Sequence, residues 1–179
     1  MRYKDFEEIA QSLEIKRNDI IMLHSDLSNF SGGNWGSKCK IFYNYLIKYF
    51  KNQGTILVPA FSYSFCKNGY FDNLNSKSEV GIFDEFFRLQ KNILRSDHPI
   101  FSFSCYGALK NEFVKNTSNS ATGNGSIFEK FFSMRGKILS ILNVFETAII
   151  CGLELILNSF IETLILFSMS NKFLTVLCI

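Results

Sequence analysis

The apolar positions of the first segment, Phe6, Ile9, Ala10 and Leu13, return every three or four residues with charges between them, and predict an amphipathic helix over residues 4–13. Residues 15–19 turn the chain. The run Ile20-Ile21-Met22-Leu23-His24 is short, continuous and β-branched at its start, as in a strand buried within a parallel sheet. Hydroxyl-rich Ser25-Asp26-Leu27-Ser28 and a glycine cluster at Gly32, Gly33 and Gly36 follow as loop. Ser37 is placed to cap a second helix with Ile41, Phe42, Tyr45, Leu46 and Tyr49 on its apolar face and Asn52-Gln53-Gly54 as its stop. A second buried strand, residues 55–59, runs into Ala60-Phe61-Ser62-Tyr63-Ser64-Phe65-Cys66.

Residues 67–78 are polar and turn-rich, a surface loop carrying Asp72. Residues 80–89 predict a helix with Ile82, Phe83, Phe86 and Phe87 on one side, and residues 91–97 lead into an alternating run that ends at Gly107. A short helix over 108–114, a loop over 116–126, a helix over 127–134 capped by Ser126 and a strand over 136–141 complete the periodic part. Helix, strand, helix, strand in that order predicts an α/β domain over residues 1–142, with a mostly parallel central sheet flanked by helices. Residues 143–179 break the pattern: they are apolar on every side of any helix drawn through them. Glu146, Glu154 and Glu162 interrupt them at eight-residue intervals, which weakens a membrane span and leaves buried helix or poorly folding sequence as alternatives.

Composition narrows the class. With 179 residues, 47% hydrophobic, 20 phenylalanines and only two prolines, the chain can bury one substantial core and is not of disordered composition. A formal charge of +3 with scattered Lys and Arg gives no basic face for nucleic acid, although a polyanionic ligand could be held locally. The five cysteines, Cys39, Cys66, Cys105, Cys151 and Cys178, are odd in number and form no C-x-x-C pair, so neither a disulfide framework nor a zinc site is expected. They read as reduced thiols of a cytoplasmic protein, and the acidic residues within the first eight argue against a secretory signal.

The candidate chemistry centres on Arg95-Ser96-Asp97-His98-Pro99. The Pro99 ring pushes His98 toward extended geometry, so the imidazole stands on an ordered segment where a loop enters a strand. His24, the other histidine, closes the first strand. Two histidines at two strand ends predict one shared cleft, beyond the carboxyl ends where α/β sheets collect ligands. The alternative is that each is a satisfied polar group at the edge of the core. The segment from Gly32 to Lys38 lacks the G-x-x-x-x-G-K-[ST] spacing of a P-loop, yet a glycine-rich turn into a helix can hold a phosphate. Cys66 and Cys105 have no base partner and read as packing thiols. Asp26 and Asp72 read as capping or solvated carboxylates, Asp26 being the better site candidate.

Four phrases stand together in order and spacing: residues 21–28 (IMLHSDLS), 54–65 (GTILVPAFSYSF), 95–102 (RSDHPIFS) and 125–130 (GSIFEK). They resemble the aminoglycoside 3-N-acetyltransferase family across roughly residues 10–142. The resemblance implies a cytoplasmic α/β enzyme that transfers an acetyl group from acetyl-CoA to an amine of an aminoglycoside or amino sugar, with no metal. It implies that His24, Ser25, Leu27, Ser62, Arg95 and Ser96 border acetyl-CoA, and that Asp26 and Ser102 face the acceptor. Such an acceptor amine needs a base to remove its proton. Antibiotic-modifying members carry a second histidine two residues after the proline for that work, and this chain has Phe101 there. His98 is therefore the candidate base, and an amino sugar is favoured over an antibiotic as acceptor. Members of the family also continue beyond the last strand into a segment bearing histidine and glutamate, whereas no histidine follows His98 here. The expectation is a fold incomplete at the C-terminus, truncated or frameshifted near residue 143. Two rival readings follow: an inactive relative, or a binding module whose tail docks to a membrane or partner.

Overall fold

A computed structural model describes residues 2–30, 32–115, 118 and 120–141, together with the backbone of 142, 164–168 and 174–177. Helix α1 (Tyr3–Ser12), strand β1 (Ile20–Ser25), helix α2 (Trp35–Phe50) and strand β2 (Thr55–Pro59) follow one another as the periodicity predicts. Next come short helices α3 (Ser64–Asn68) and α4 (Ile82–Arg88), strands β3 (Leu94–Arg95) and β4 (Phe103–Gly107), and helices α5 (Lys110–Val114) and α6 (Ile127–Ser133). Strands β5 (Lys137–Leu142), β6 (Leu164–Ser168) and β7 (Leu174–Leu177) end the series. Asn34, not Ser37, caps α2: its Oδ1 accepts from the Ser37 N–H at 2.9 Å, so the serine lies one turn inside the helix. Ser126 caps α6 as expected, accepting from the Glu129 N–H at 3.1 Å.

The seven strands lie in the order β3-β4-β2-β1-β5-β6-β7. Strands β2, β1, β5 and β6 run parallel in the centre, while β4, β3 and β7 pair antiparallel at the two edges. The fold is thus the expected α/β class, with a mixed sheet. The antiparallel edge has a simple cause: residues 96–102 join β3 to β4, and so short a connection cannot carry a parallel crossover. The alternating run preceding Gly107 is therefore half connection and half strand. Strands β6 and β7 place part of the 143–179 segment on the sheet. Glu146, Glu154, Glu162, Cys151 and Cys178, and with them the reading of the tail as a docking element, lie outside the described residues. Among the described residues no helix is long and apolar enough to cross a membrane.

Side-chain alternation explains the layers. Ile21 and Leu23 of β1, Ile56 and Val58 of β2 and Leu139 and Ile141 of β5 face one side, where they pack with Phe6, Phe42, Leu46, Phe83 and Phe87 of α1, α2 and α4. Met22, Leu57 and Ile138 face the other side and meet Phe113, Ile127 and Phe131 of α5 and α6. Strands covered on both faces must be apolar throughout, which is why the β1 and β2 segments read as continuous runs.

Gly107 ends β4 at φ +107°, and a Cβ there would collide with the Gly54 carbonyl oxygen. The backbone of β4 and the turn before β2 touch at that point. Gly107→Ala is expected to cost at least roughly 1–3 kcal/mol from backbone strain, more with the collision, read as a lower midpoint in urea unfolding.

Candidate functional site

The parallel strands β1 and β2 point their carboxyl ends to the same edge of the sheet, and a cavity of about 440 Å³ opens there. His24, Ser25, Asp26 and Leu27 come to it from β1 and the following turn, Pro59, Phe61 and Tyr63 from β2 and its extension. Trp35, the first residue of α2, and residues 80–84, at the start of α4, close the other sides. Trp35, Tyr63, Val80 and Ile82 are all substantially exposed, so the mouth has an apolar and aromatic rim. A wider depression of about 800 Å³ adjoins it across Val80, Gly81 and Ile82, and Ser62 and Ser64 line that second space.

The expected site residues separate into two groups. His24, Ser25, Asp26 and Leu27 line the cleft. Burial holds the His24 imidazole far below its ordinary range, down to about 4, so the ring is neutral near pH 7. Asp26 accepts from the Ser28 N–H (2.8 Å) and the Ser28 hydroxyl (2.6 Å), which shapes the turn after β1. The Ser25 hydroxyl is buried and makes no hydrogen bond.

Arg95, Ser96 and Ser102 form the second group, a buried clamp beside the cleft. Arg95 donates from Nε to the Ser102 hydroxyl (3.0 Å), from Nη2 to the Ala60 carbonyl (2.6 Å), and from Nη1 to the carbonyls of Asn73 (3.1 Å) and Ser76. Four of its five N–H donors are thus occupied inside the protein. It makes no ion pair among the described residues, and burial draws its pKa down to about 10, which leaves it charged at neutral pH. The Ser102 hydroxyl also donates to the Ala60 carbonyl at 2.8 Å, and the Ser96 hydroxyl accepts from the Phe103 N–H at 2.9 Å. Both serines are fully buried. In this structure these three residues hold the cleft wall.

His98 stands outside the cleft. Its Nδ1 accepts from the N–H groups of Ile100 (3.1 Å) and Phe101 (2.9 Å), and its ring lies 5.6 Å from that of Phe101, which in turn meets Phe61 at 5.2 Å. A neutral imidazole whose Nδ1 accepts two bonds carries its proton on Nε2 and offers no free lone pair. In this geometry Nδ1 fixes the loop between His98 and Phe101.

Two residues that sequence reasoning passed over complete the cleft. Asp84 of α4 is 7% exposed, lines the cavity, and has a carboxylate oxygen, Oδ1, without any hydrogen bond. Burial raises its pKa to about 7. Gly81 makes room for it, since a Cβ there would stand 2.6 Å from Oδ2. The signal was the spacing of three from Phe87, which puts Asp84 on the buried stripe of the helix. The other is Trp35 at the rim. Lys38, next to the glycine cluster, donates to the carbonyls of Leu27 (3.3 Å) and Ser28 (2.7 Å), so this lysine buttresses the turn after β1. Cys39 and Cys105 are buried, with thiols pushed up by burial, and Cys66 is exposed. Among the described residues no group of His, Cys, Asp and Glu could hold a metal ion.

A family model described as aminoglycoside 3-N-acetyltransferase matches residues 22–148, well over half of the chain. Among curated proteins none matches the sequence. Solved structures share the fold. AAC-IIIb in a binary complex with CoASH is 22% identical over 78% of this chain and 59% of its own, with a TM-score of 0.66. Sisomicin-bound AAC-VIa, studied at room temperature by neutron and X-ray methods, gives 21%, the same coverages and 0.66. A mutant of the aminoglycoside acetyltransferase AAC(3)-IVa in complex with apramycin is 16% identical over 99% of this chain and 71% of its own, with a TM-score of 0.67. The chain spans 59% of the length of the first two, under two thirds.

Two substitutions separate clamp from cleft. Arg95→Lys keeps the charge but cannot reproduce the fork of bonds, and is expected to lower stability by about 2–4 kcal/mol in urea unfolding. Asp84 behaves in the opposite sense. Its folded pKa, about 7, lies above its unfolded value of 3.8, so the stability it allows is complete below pH 3.8 and is lost as pH rises through 7. Asp84→Asn is therefore expected to raise the thermal midpoint at pH 8 by a few degrees, about 1–3 kcal/mol, with the gain vanishing toward pH 4.

Proposed function

The chain belongs to the aminoglycoside 3-N-acetyltransferase family, and from that membership we propose that it is an acetyl-CoA-dependent N-acetyltransferase acting on an amino sugar. One observation carries the reading: the cavity at the carboxyl ends of β1 and β2 brings together His24, Ser25 and Asp26, from one of the family-like phrases, beneath an apolar rim. The rim residues Trp35, Tyr63, Val80 and Ile82 suit a pantetheine chain or the flat face of a sugar ring. A relative with CoASH and others with sisomicin and apramycin support the two ligand classes, donor and acceptor.

In this proposal acetyl-CoA enters along the first turn after β1, with His24, Ser25 and Leu27 beside it and Ser62 on the adjoining wall. The neutral His24 ring and the unpartnered Ser25 hydroxyl are donors for the negative oxygen that develops when an amine attacks a thioester carbonyl. The carboxylate of Asp26 stands at the entrance, where it favours a cationic acceptor. Arg95, Ser96 and Ser102 act by holding the 60–62 and 96–102 segments in register. Alignment of amine and thioester in the cleft supplies much of the rate. Cytoplasmic residence, where acetyl-CoA is made and used, belongs to the same proposal.

Thermal unfolding with and without saturating acetyl-CoA, followed on the same sample by thiol release with glucosamine, tests it. A ligand that binds only the folded chain must raise the midpoint. The expected result is a rise of several degrees and glucosamine-dependent release of CoA thiol. A rise without turnover would mean a binding module, and no response to acetyl-CoA would overturn the reading.

A further inference from the structure

A buried carboxylate without partners is costly to keep, and α4 keeps one, Asp84, between the buried Phe83 and Phe87. Nothing in the fold uses it: Asp84 makes no hydrogen bond and no ion pair among the described residues, and the oxygen Oδ1 is shut from bulk water. The same cleft holds a second buried polar atom without a partner, the Ser25 hydroxyl. Two such atoms in one cavity mark a place completed by a ligand with a polar hydrogen to give.

The acceptor amine has that hydrogen, and the residue expected to take it does not stand ready. Phe101 has no acceptor, and His98 Nδ1 is engaged by two backbone N–H groups. Resting on the acetyltransferase reading above, we propose that Asp84 is the general base of the reaction: its carboxylate pairs with the acceptor's ammonium group in the cleft and removes its first proton. The N–H bond breaks and an O–H bond forms on Asp84. The freed lone pair attacks the thioester carbonyl carbon, the C–S bond breaks as the tetrahedral adduct collapses, and the departing sulfur takes the second amine proton to give CoA thiol. Asp84 returns its proton to solvent. The products are an N-acetylated sugar, CoA thiol and one released proton.

The surroundings fit that duty. His24 and Asp26 share the cleft wall, Tyr63 stands at the rim, and Cys39 of α2 feels the Asp84 charge. From the remaining packed elements Tyr43 of α2 and Tyr106 of β4 face the α4 region, both with hydroxyls pushed upward by burial. No cation among the described residues pairs with Asp84, and burial raises its affinity for a proton. Gly81 gives the carboxylate its room, and a larger residue there would press on it.

Wild type and Asp84→Asn are compared for glucosamine-dependent thiol release from pH 5.5 to 8.5, with the acetyl-CoA thermal shift measured on both. The expected outcome is a loss of about 100-fold or more in kcat/KM for Asp84→Asn. The wild-type rise in kcat/KM through neutral pH should be absent from the variant, and the acetyl-CoA shift unchanged. Partial recovery of Asp84→Ala by added formate, a small external base, would support the same role. A variant within threefold of wild type with an unaltered pH profile would overturn the assignment while leaving the acetyltransferase reading intact. A variant that also loses the acetyl-CoA shift would assign Asp84 to the fold and overturn it too. A wild type that turns nothing over and ignores acetyl-CoA would overturn the parent reading and this one together.

Discussion

The cleft depends on one buried cation. Arg95 sits at the end of a two-residue strand and reaches across to the carbonyls of Ala60, Asn73 and Ser76 and to the Ser102 hydroxyl. Those partners come from three segments, the end of β2, the 73–76 loop and the start of β4, so a single guanidinium ties the loop to the two strands. Asn73 reinforces the knot from the other side, donating to the carbonyls of Arg95 and Ser96 and to the Asp97 carboxylate. Backbone bonds from Ala60 to Ser102 and from Ser62 to Ile100 then carry the β2–β4 pairing past the end of the strands. A lysine could supply the charge but not the planar fork.

Around that rigid wall the strand ends hold groups that the fold leaves incomplete. Ser25 and Asp84 are buried without partners, and His24 is kept uncharged by burial alone. Each lowers the stability of the fold. Stability is recovered in the core, where Phe42 meets Phe6, Phe30 and Phe83 ring to ring, and Tyr49 donates to the Ile15 carbonyl. Cohesion thus lives in the two aromatic layers that cover the faces of the sheet.

Much of this was legible in the residues. The continuous apolar runs of β1 and β2 announced a sheet covered on both sides, and the helical stripes of α1 and α2 announced what covers it. His24 and Ser25 at a strand end pointed to the edge where the cavity opens. What the residues could not show was distance. Arg95 and Ser102 turn donors inward, to the carbonyls of Ala60, Asn73 and Ser76, which lie far from them in the sequence. His98 looked available since the sequence cannot show that two amides of its own loop fold back onto Nδ1. Asp84 was hidden among phenylalanines: a polar residue on a buried helix stripe reads as an exposed one unless its phase against Phe83 and Phe87 is counted.

The account stands or falls on transfer of an acetyl group to nitrogen. Incubating the chain with acetyl-CoA and glucosamine and weighing the sugar by mass spectrometry tests that directly. The account predicts a product heavier by one acetyl group, carried on the amine, formed in step with CoA thiol. Unmodified sugar after prolonged incubation with folded protein that binds acetyl-CoA would contradict it.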